Sequence, residues 1–415
     1  MQLSISQIKY IESMCGSPFY LFDAQALHQN YNNLLQSFLT LYSNTIIAYS
    51  YKTNYLPYAC NIIKEKGGYA EVVSGLEYSL ALKIGYNPKR IIFNGPIKRY
   101  NDFQLALNNG TTINLDSFYE LNYIARYKKQ MGKANIKLGL RVNIDLSNIS
   151  GNVDSQSGPS IGRFGFPSDK IGEVIRFLRD NDAEIHCLHG HCSSTNRNID
   201  NFIVITQTLC NIRDEYDLKH LEYIDIGGGF FGKVPDNFFG YRVPSFDEYA
   251  ESIISILMNN NWIRTHRPFL VIEPGISLAA DTTSFITRVY DTKHIRSKNF
   301  AVVDGSMYNI NPTMHSLDLP FYHIPSSHDS QTNDKQLYDV VGSTCMEKDV
   351  LLKDVPITGL KKGDYLQVNY VGAYTMVLTP PFINPAPAIV VPDGDTFTVA
   401  RSAETFADFF SCYLF

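Results

Sequence analysis

The sequence predicts an α/β protein: a (β/α)8 TIM-like barrel followed by a mainly antiparallel β domain. Between residues 45 and 273, short apolar runs alternate with longer amphipathic stretches. That alternation is the pattern of βαβ units in a parallel sheet, and about eight units in ~230 residues suit a closed barrel. An open doubly wound sheet is the alternative. After Gly275 the texture changes to short β runs separated by Pro, Gly, Asp and Asn, with little helical periodicity.

Taken in order, the stretch PFYLFD at 18–23 reads as a strand that either domain could use. Barrel strands are expected at 45–50, 69–73, 90–94, 112–115, 136–143, 184–190, 222–226 and 269–273. Helices fall between them at 56–66, 75–84, 101–107, 118–131, 169–180, 199–216 and 246–259. The β-rich part shows runs at 285–290, 300–303, 337–341, 365–370 and 388–391, and helical periodicity returns only at 403–410. The domains are accordingly a barrel over 25–275 and a β-rich domain over 276–415, joined by the N-terminal segment 1–24.

The 415 residues are 44% hydrophobic and 19% charged, with net charge −5. That is a globular composition, and it excludes disordered, collagen-like and coiled-coil chains. No Lys/Arg cluster suggests a nucleic-acid partner. No apolar run approaches the ~18 residues of a membrane span, and the first residues lack a basic stretch followed by an apolar core. The seven cysteines are odd in number, scattered and without C-x-x-C, so reduced thiols and a cytoplasmic location are expected.

In a barrel of this kind function sits at the C-terminal ends of the strands. After the first comes Ala48-Tyr49-Ser50-Tyr51-Lys52-Thr53-Asn54, and a Lys there can bond covalently to a carbonyl compound. After the seventh come Gly227, Gly228 and Gly229, which let backbone N–H groups approach an anion. After the eighth comes Glu273-Pro274-Gly275; a carboxylate at a barrel mouth needs a partner, and a protonated ring nitrogen would serve. After the sixth, three His and two Cys within 186–194 invite a metal reading. Strand alternation puts His189 and His191 on one face and His186 on the other, and no C-x-x-C or H-E-x-x-H accompanies them. No metal is expected. His191 as a flat ring against an aromatic ligand, with Ser194 as a hydroxyl donor, fits better.

These pieces, in this order, resemble the fold-type III pyridoxal-phosphate (PLP) decarboxylases, which act on diaminopimelate, ornithine, arginine and carboxynorspermidine and whose barrel is similar to that of alanine racemase. Tyr49–Asn54 matches the family's Y-x-x-K-T/A-N pattern, and 71–77 its acidic-x-x-S-x-x-E segment. Residues 93–98, Asp116-Ser117 and Arg163-Phe164-Gly165 match further landmarks. The resemblance implies PLP as cofactor, attached through Lys52, with Glu71 close by. It implies that His191 stacks on the pyridine ring and that Ser194, Gly227, Gly228, Gly229, Gly275 and Tyr374 surround the phosphate. Glu273 would pair with the ring nitrogen, which favours decarboxylation over the racemases of this fold, where an Arg stands. Cys345 would be contributed by the other subunit of a homodimer, to protonate the product carbanion.

The sequence departs from the family at the substrate's far end. Diaminopimelate decarboxylases follow E-P-G with Arg, and here it is Ile276; their R-P-x-x-Y segment is here Asn311-Pro312-Thr313-Met314-His315. They place Glu directly after the reactive Cys, where this chain has Met346 and then Glu347. Ile and Asn cannot replace a bidentate Arg. The expectation is a PLP-dependent amino-acid decarboxylase with Asn311, His315, Met346, Glu347 and Tyr374 at the substrate, and a substrate other than meso-diaminopimelate. The alternatives are a true diaminopimelate decarboxylase, with Glu347 and His315 doing the usual jobs, an amino-acid racemase or epimerase, and a non-catalytic homologue.

Overall fold

The computed structural model describes residues 1–132, 136–146, 162–192, 197–235, 238–314, 319–327, 335–394 and 396–415. The chain divides into two compact units, His28–Leu278 and the combination of Met1–Leu27 with Ala279–Phe415.

The first unit is a closed barrel of eight parallel strands: Thr45–Ser50, Tyr69–Val72, Ile91–Phe93, Thr112–Leu115, Ile136–Val142, Ala183–Gly190, Tyr223–Asp225 and Phe269–Ile272. Every expected barrel strand is present. Their near-continuous apolar sequences follow from burial on both faces: all four residues of Thr112–Leu115 are buried. The helices between strands show their inward stripe directly. In Ile171–Asp180 the buried residues are Ile171, Val174, Ile175 and Leu178, the spacing of one helical face. Gly75–Ile84 starts at Ser74, whose hydroxyl accepts from the Glu77 N–H, and stops at Gly85 in the left-handed region (φ 88°). Phe246–Asn259 opens with a reciprocal Ser245–Glu248 capping box.

The second unit holds a nine-stranded sheet among the described residues. Its longest strand, Thr283–Ile295, pairs antiparallel with Phe19–Phe22, Lys298–Val303 and Tyr365–Val368. Phe19–Phe22 also pairs parallel with Ala388–Asp393. The N-terminal helix Ile5–Cys15 contributes Ile8 and Ile11 to a core cluster that includes Phe19, Leu21, Ile286 and Val390.

Three strands of this sheet were not expected from the sequence: Phe321–Ile324, Val350–Thr358 and Thr396–Arg401. All three lie at sheet edges. Edge strands need no apolar run and tolerate Lys, Asp and Pro, as in VLLKDVPIT. The helices Ile5–Cys15, Ala24–Leu39 and Asn261–His266 were missed as well. In Ala24–Leu39 the buried Leu27, Tyr31, Leu34 and Phe38 recur at helical spacing, a stripe diluted by Asn and Gln. No helix among the described residues is long and apolar enough to cross a membrane, and all seven cysteines are free thiols.

Candidate active site

Each barrel strand carries a buried polar residue at or beside its C-terminal end: Ser50, Glu71, Asn94, Asn114, Arg141, His189, Asp225 and Glu273, none more than 7% exposed. Parallel register sets them side by side, with Ser50 opposite Glu71, Arg141 opposite His189, and His189 opposite Asp225. Eight polar groups thus line the C-terminal ends of the strands, where barrels of this kind carry their function.

Lys52 stands just beyond the first strand in the short helix Tyr51–Thr53. The turn is pinned by the buried Tyr49 hydroxyl, which donates to the Asn54 carbonyl (2.8 Å), and by Asn54 Oδ1, which accepts from the Leu56 N–H (3.0 Å). Lys52 Nζ lies 2.7 Å from Glu71 Oε2, and the Ser50 hydroxyl donates to that same oxygen (2.5 Å). Asn94 Nδ2 donates to Glu71 Oε1 (3.0 Å) and to Glu273 Oε1 (2.5 Å). One amide thus joins the carboxylate beside Lys52 to the carboxylate of the E-P-G segment, and Asn114 Nδ2 orients that amide through Asn94 Oδ1 (2.8 Å).

Glu273 also faces His189, with Nε2 3.4 Å from Oε2. The side-chain donor atoms of His189, Asp225 and Glu273 all lie within 4.8 Å of one another. Burial by itself would raise the Glu273 carboxyl; His189, Lys52 and the hydrogen bond with Asp225 outweigh it and hold this carboxyl well below the usual range. Asp225 moves the other way, pushed far up first by burial and then by the charge of Glu273.

The glycine segment is built for close approach. A Cβ on Gly228 would overlap the Glu273 carbonyl oxygen, and one on Gly275 would overlap the Thr53 hydroxyl. Gly227 and Gly229 have φ of 69° and 106°, and a Cβ on Gly227 would sit 2.6 Å from His191 Nδ1. That nitrogen instead accepts from the Gly228 N–H (3.1 Å). Burial, helped by the Arg141 and Lys52 cations, lowers the His191 pKa to about 3, so the ring is neutral and can lie flat against an aromatic ligand. His186, on the other face of its strand, sits between Glu184 and Glu222 (3.4 and 3.3 Å). The barrel therefore gathers Lys52, Glu71, His191, Gly227, Gly228, Gly229, Glu273 and Gly275. Ser194 and His315 lie outside the described residues.

Glu77, from the acidic-x-x-S-x-x-E segment, is buried and accepts from the Val73 N–H (2.8 Å). Burial, with a smaller push from Glu71, raises its pKa from 4.5 to about 7. Below pH 4.5 the folded and unfolded chains both hold this proton, so the shift costs nothing. Between pH 4.5 and 7 the penalty grows, and above 7 it is complete. Glu77→Gln, which keeps the acceptor, should leave stability unchanged near pH 4 and raise it at pH 8 by up to about 3 kcal/mol. Urea unfolding at the two pH values measures this; a Gln variant less stable at pH 8 contradicts it.

The β-rich unit carries the other assignments. Cys345 is exposed, in a loop organised by the buried Asp349. Asp349 Oδ2 accepts from the Thr344 N–H (3.1 Å) and hydroxyl (2.6 Å). Its Oδ1 accepts from the Ser306 hydroxyl (3.0 Å) and the Met307 N–H (2.7 Å). Met307–Ile310 is a short helix that ends at Asn311. One carboxylate therefore ties the Cys345 loop to the segment bearing Asn311. Beside them the Tyr308 hydroxyl donates to the Met346 sulfur (3.2 Å), and the Tyr308 ring meets Phe382 edge-on at 5.8 Å. Glu347 is exposed. Tyr374 follows Gly372 in the same unit and adopts φ 54°, a backbone strain of the kind that gathers at ligand sites.

Residues 28–280 match the pyridoxal-binding domain of the pyridoxal-dependent decarboxylases. The chain belongs to that family. This decarboxylase is 30% identical over 407 residues to a probable chloroplastic diaminopimelate decarboxylase of Oryza sativa subsp. japonica, covering 95% of this chain and 79% of that one. It is 25% identical over 430 residues to an L-glutamyl-[BtrI acyl-carrier protein] decarboxylase of Niallia circulans, covering 98% and 96%. Its fold superposes on diaminopimelate decarboxylase from Helicobacter pylori complexed with L-lysine, with TM-score 0.83, 24% identity and coverage of 97% and 98%. The Paramecium bursaria Chlorella virus arginine decarboxylase gives TM-score 0.74, 21% identity and coverage of 91% and 97%. The cofactor is PLP and the enzyme is an amino-acid decarboxylase. The barrel fits that cofactor: it presents an amine on a pinned turn, a neutral imidazole, a glycine cradle that side chains would fill, and a buried carboxylate held ionised.

Sequence reading did not single out Asn94, His189 as a partner of Glu273, Asp225 or Asp349. For the first three the available signal was a lone polar residue at each strand's end. For Asp349 it was a carboxylate closing the loop that begins Gly342-Ser343-Thr344.

Proposed function

We propose that this enzyme decarboxylates an α-amino acid whose far end differs from that of meso-diaminopimelate. The reading rests on one observation: Met346 and the segment ending at Asn311 are held together by Asp349, and Met346 is met by the Tyr308 hydroxyl. Ile276, next to the cofactor-binding Gly275, supplies no charge either. A free distal carboxylate and ammonium buried against such groups lose about 2–5 kcal/mol relative to a site with charged partners. The relative named for an acyl-carrier-protein-bound glutamyl group supports the idea that this scaffold accepts acids other than diaminopimelate.

Bound PLP supplies a ring that accepts the electron pair left when CO2 departs. Lys52 would hold the cofactor through its Nζ, which Glu71 positions at 2.7 Å. His191 would support the ring, and Glu273 would supply the negative charge that keeps its nitrogen protonated. The barrel's glycine N–H groups would hold the phosphate. Cys345 returns a proton to the substrate carbon. The same reading takes the protein as a homodimer, on the strength of the match of its Cys345 loop.

The test is CO2 release from meso-diaminopimelate beside lysine, ornithine, arginine, glutamate and longer conjugated diamino acids. The expected result is a kcat/KM for meso-diaminopimelate at least about thirtyfold below that of the best substrate, the equivalent of ~2 kcal/mol. Meso-diaminopimelate as the best substrate would mean that Glu347 and His315 supply the missing charges. Inversion without CO2 would mean a racemase.

A further inference from the structure

Asp225 has no part in the chemistry described above, yet it is fully buried and lies at the end of its strand beside Glu273. Its Oδ1 accepts from the Gly227 N–H (2.9 Å), which fixes the first residue of the glycine segment. Its Oδ2 is buried and, as an acceptor, finds no hydrogen-bond donor among the described residues. The groups around it are Cys187 and His189 on the preceding strand, Glu273 beyond the following one, and Glu71 across the barrel. Glu273 has His189 beside it, while Lys52 is engaged by Glu71 and Arg141 by Asp116. Two carboxylates in such surroundings cannot both be ionised. A proton on Asp225 Oδ2 removes one charge and gives that oxygen a partner, Glu273.

We propose that Asp225 and Glu273 share one proton, carried by Asp225, which makes Asp225 a positioning residue: it donates to Glu273 while its other oxygen anchors Gly227. The opposed shifts of the two carboxyls, Asp225 upward by burial and the charge of Glu273, and Glu273 downward against burial, agree with this assignment. The inference rests on the reading of Glu273 as the group beside the cofactor ring. It explains how that carboxylate stays single in charge and fixed in direction. A protonated carboxyl and an amide are alike in shape and in having a donor beside an acceptor, so Asn can take over the role and Ala cannot.

Two measurements test it. In the cofactor-free protein at pH 7, the infrared difference between wild type and Asp225→Asn should show loss of one C=O stretch of a protonated carboxylic acid. In PLP titrations of the cofactor-free proteins, Asp225→Asn should bind within about threefold of wild type and Asp225→Ala about tenfold or more weaker. If Ala prevents folding, the infrared difference and the Asn titration still decide. Absence of the band, or an Asn variant as weak as Ala, overturns the proposal and makes Asp225 an anion. The infrared band is read without cofactor or substrate. Failure of wild type to bind PLP or release CO2 would therefore sink the functional reading while leaving this one open to its own result.

Discussion

Lys52→Ala should yield a folded protein to which borohydride no longer fixes PLP, with turnover lowered by about 1,000-fold or more, ~4 kcal/mol in the barrier. The basis is local. The Tyr49 and Asn54 contacts hold the turn without help from the lysine side chain, so its removal leaves the barrel intact. Only one amine is lost from beside Glu71 Oε2. The remaining carboxylate, still bonded by Ser50 and Asn94, has lost the amine it pairs with, and added alkylamines should restore part of the turnover. Mass spectrometry after reduction gives the reading. Cofactor still fixed to the Ala variant would move the attachment to another residue.

Glu273→Gln should keep PLP bound and lower kcat by about 10²–10³-fold, the size expected when one group aimed at developing charge is removed. Gln preserves volume and can still accept from Asn94, but it carries no charge toward a ring nitrogen. The effect therefore belongs to kcat rather than to cofactor affinity. Presteady-state CO2 release with saturating substrate measures it. A loss under about threefold would show that the ring's electron-accepting power does not depend on this carboxylate.

The barrel was legible in the sequence because burial on both faces forces apolar runs, and all eight strands were placed from them. The edge strands of the second unit were not, since a strand paired on one side can carry Lys, Asp and Pro, as Val350–Thr358 does. The residues of the site that touch a ligand by family pattern were legible as motifs. Those that hold them were not. Asn94 meets Glu273 across 179 positions, and Asp225 reaches the same carboxylate only because parallel register stacks strand ends. Such partnerships are a product of barrel closure and leave a local trace no stronger than one polar letter in an apolar run.

Asp349 has a consequence for descent. By bonding Thr344, Ser306 and Met307 at once, it couples the loop that bears Cys345 and Met346 to the segment that ends at Asn311. A change in either stretch is then felt in the other through one carboxylate. Under the proposed function, a lineage that changes the acid it consumes would rewrite both stretches together. Asn311 and Met346 are then exchanged as a pair, with Lys52, Glu273 and the glycine cradle left as they stand.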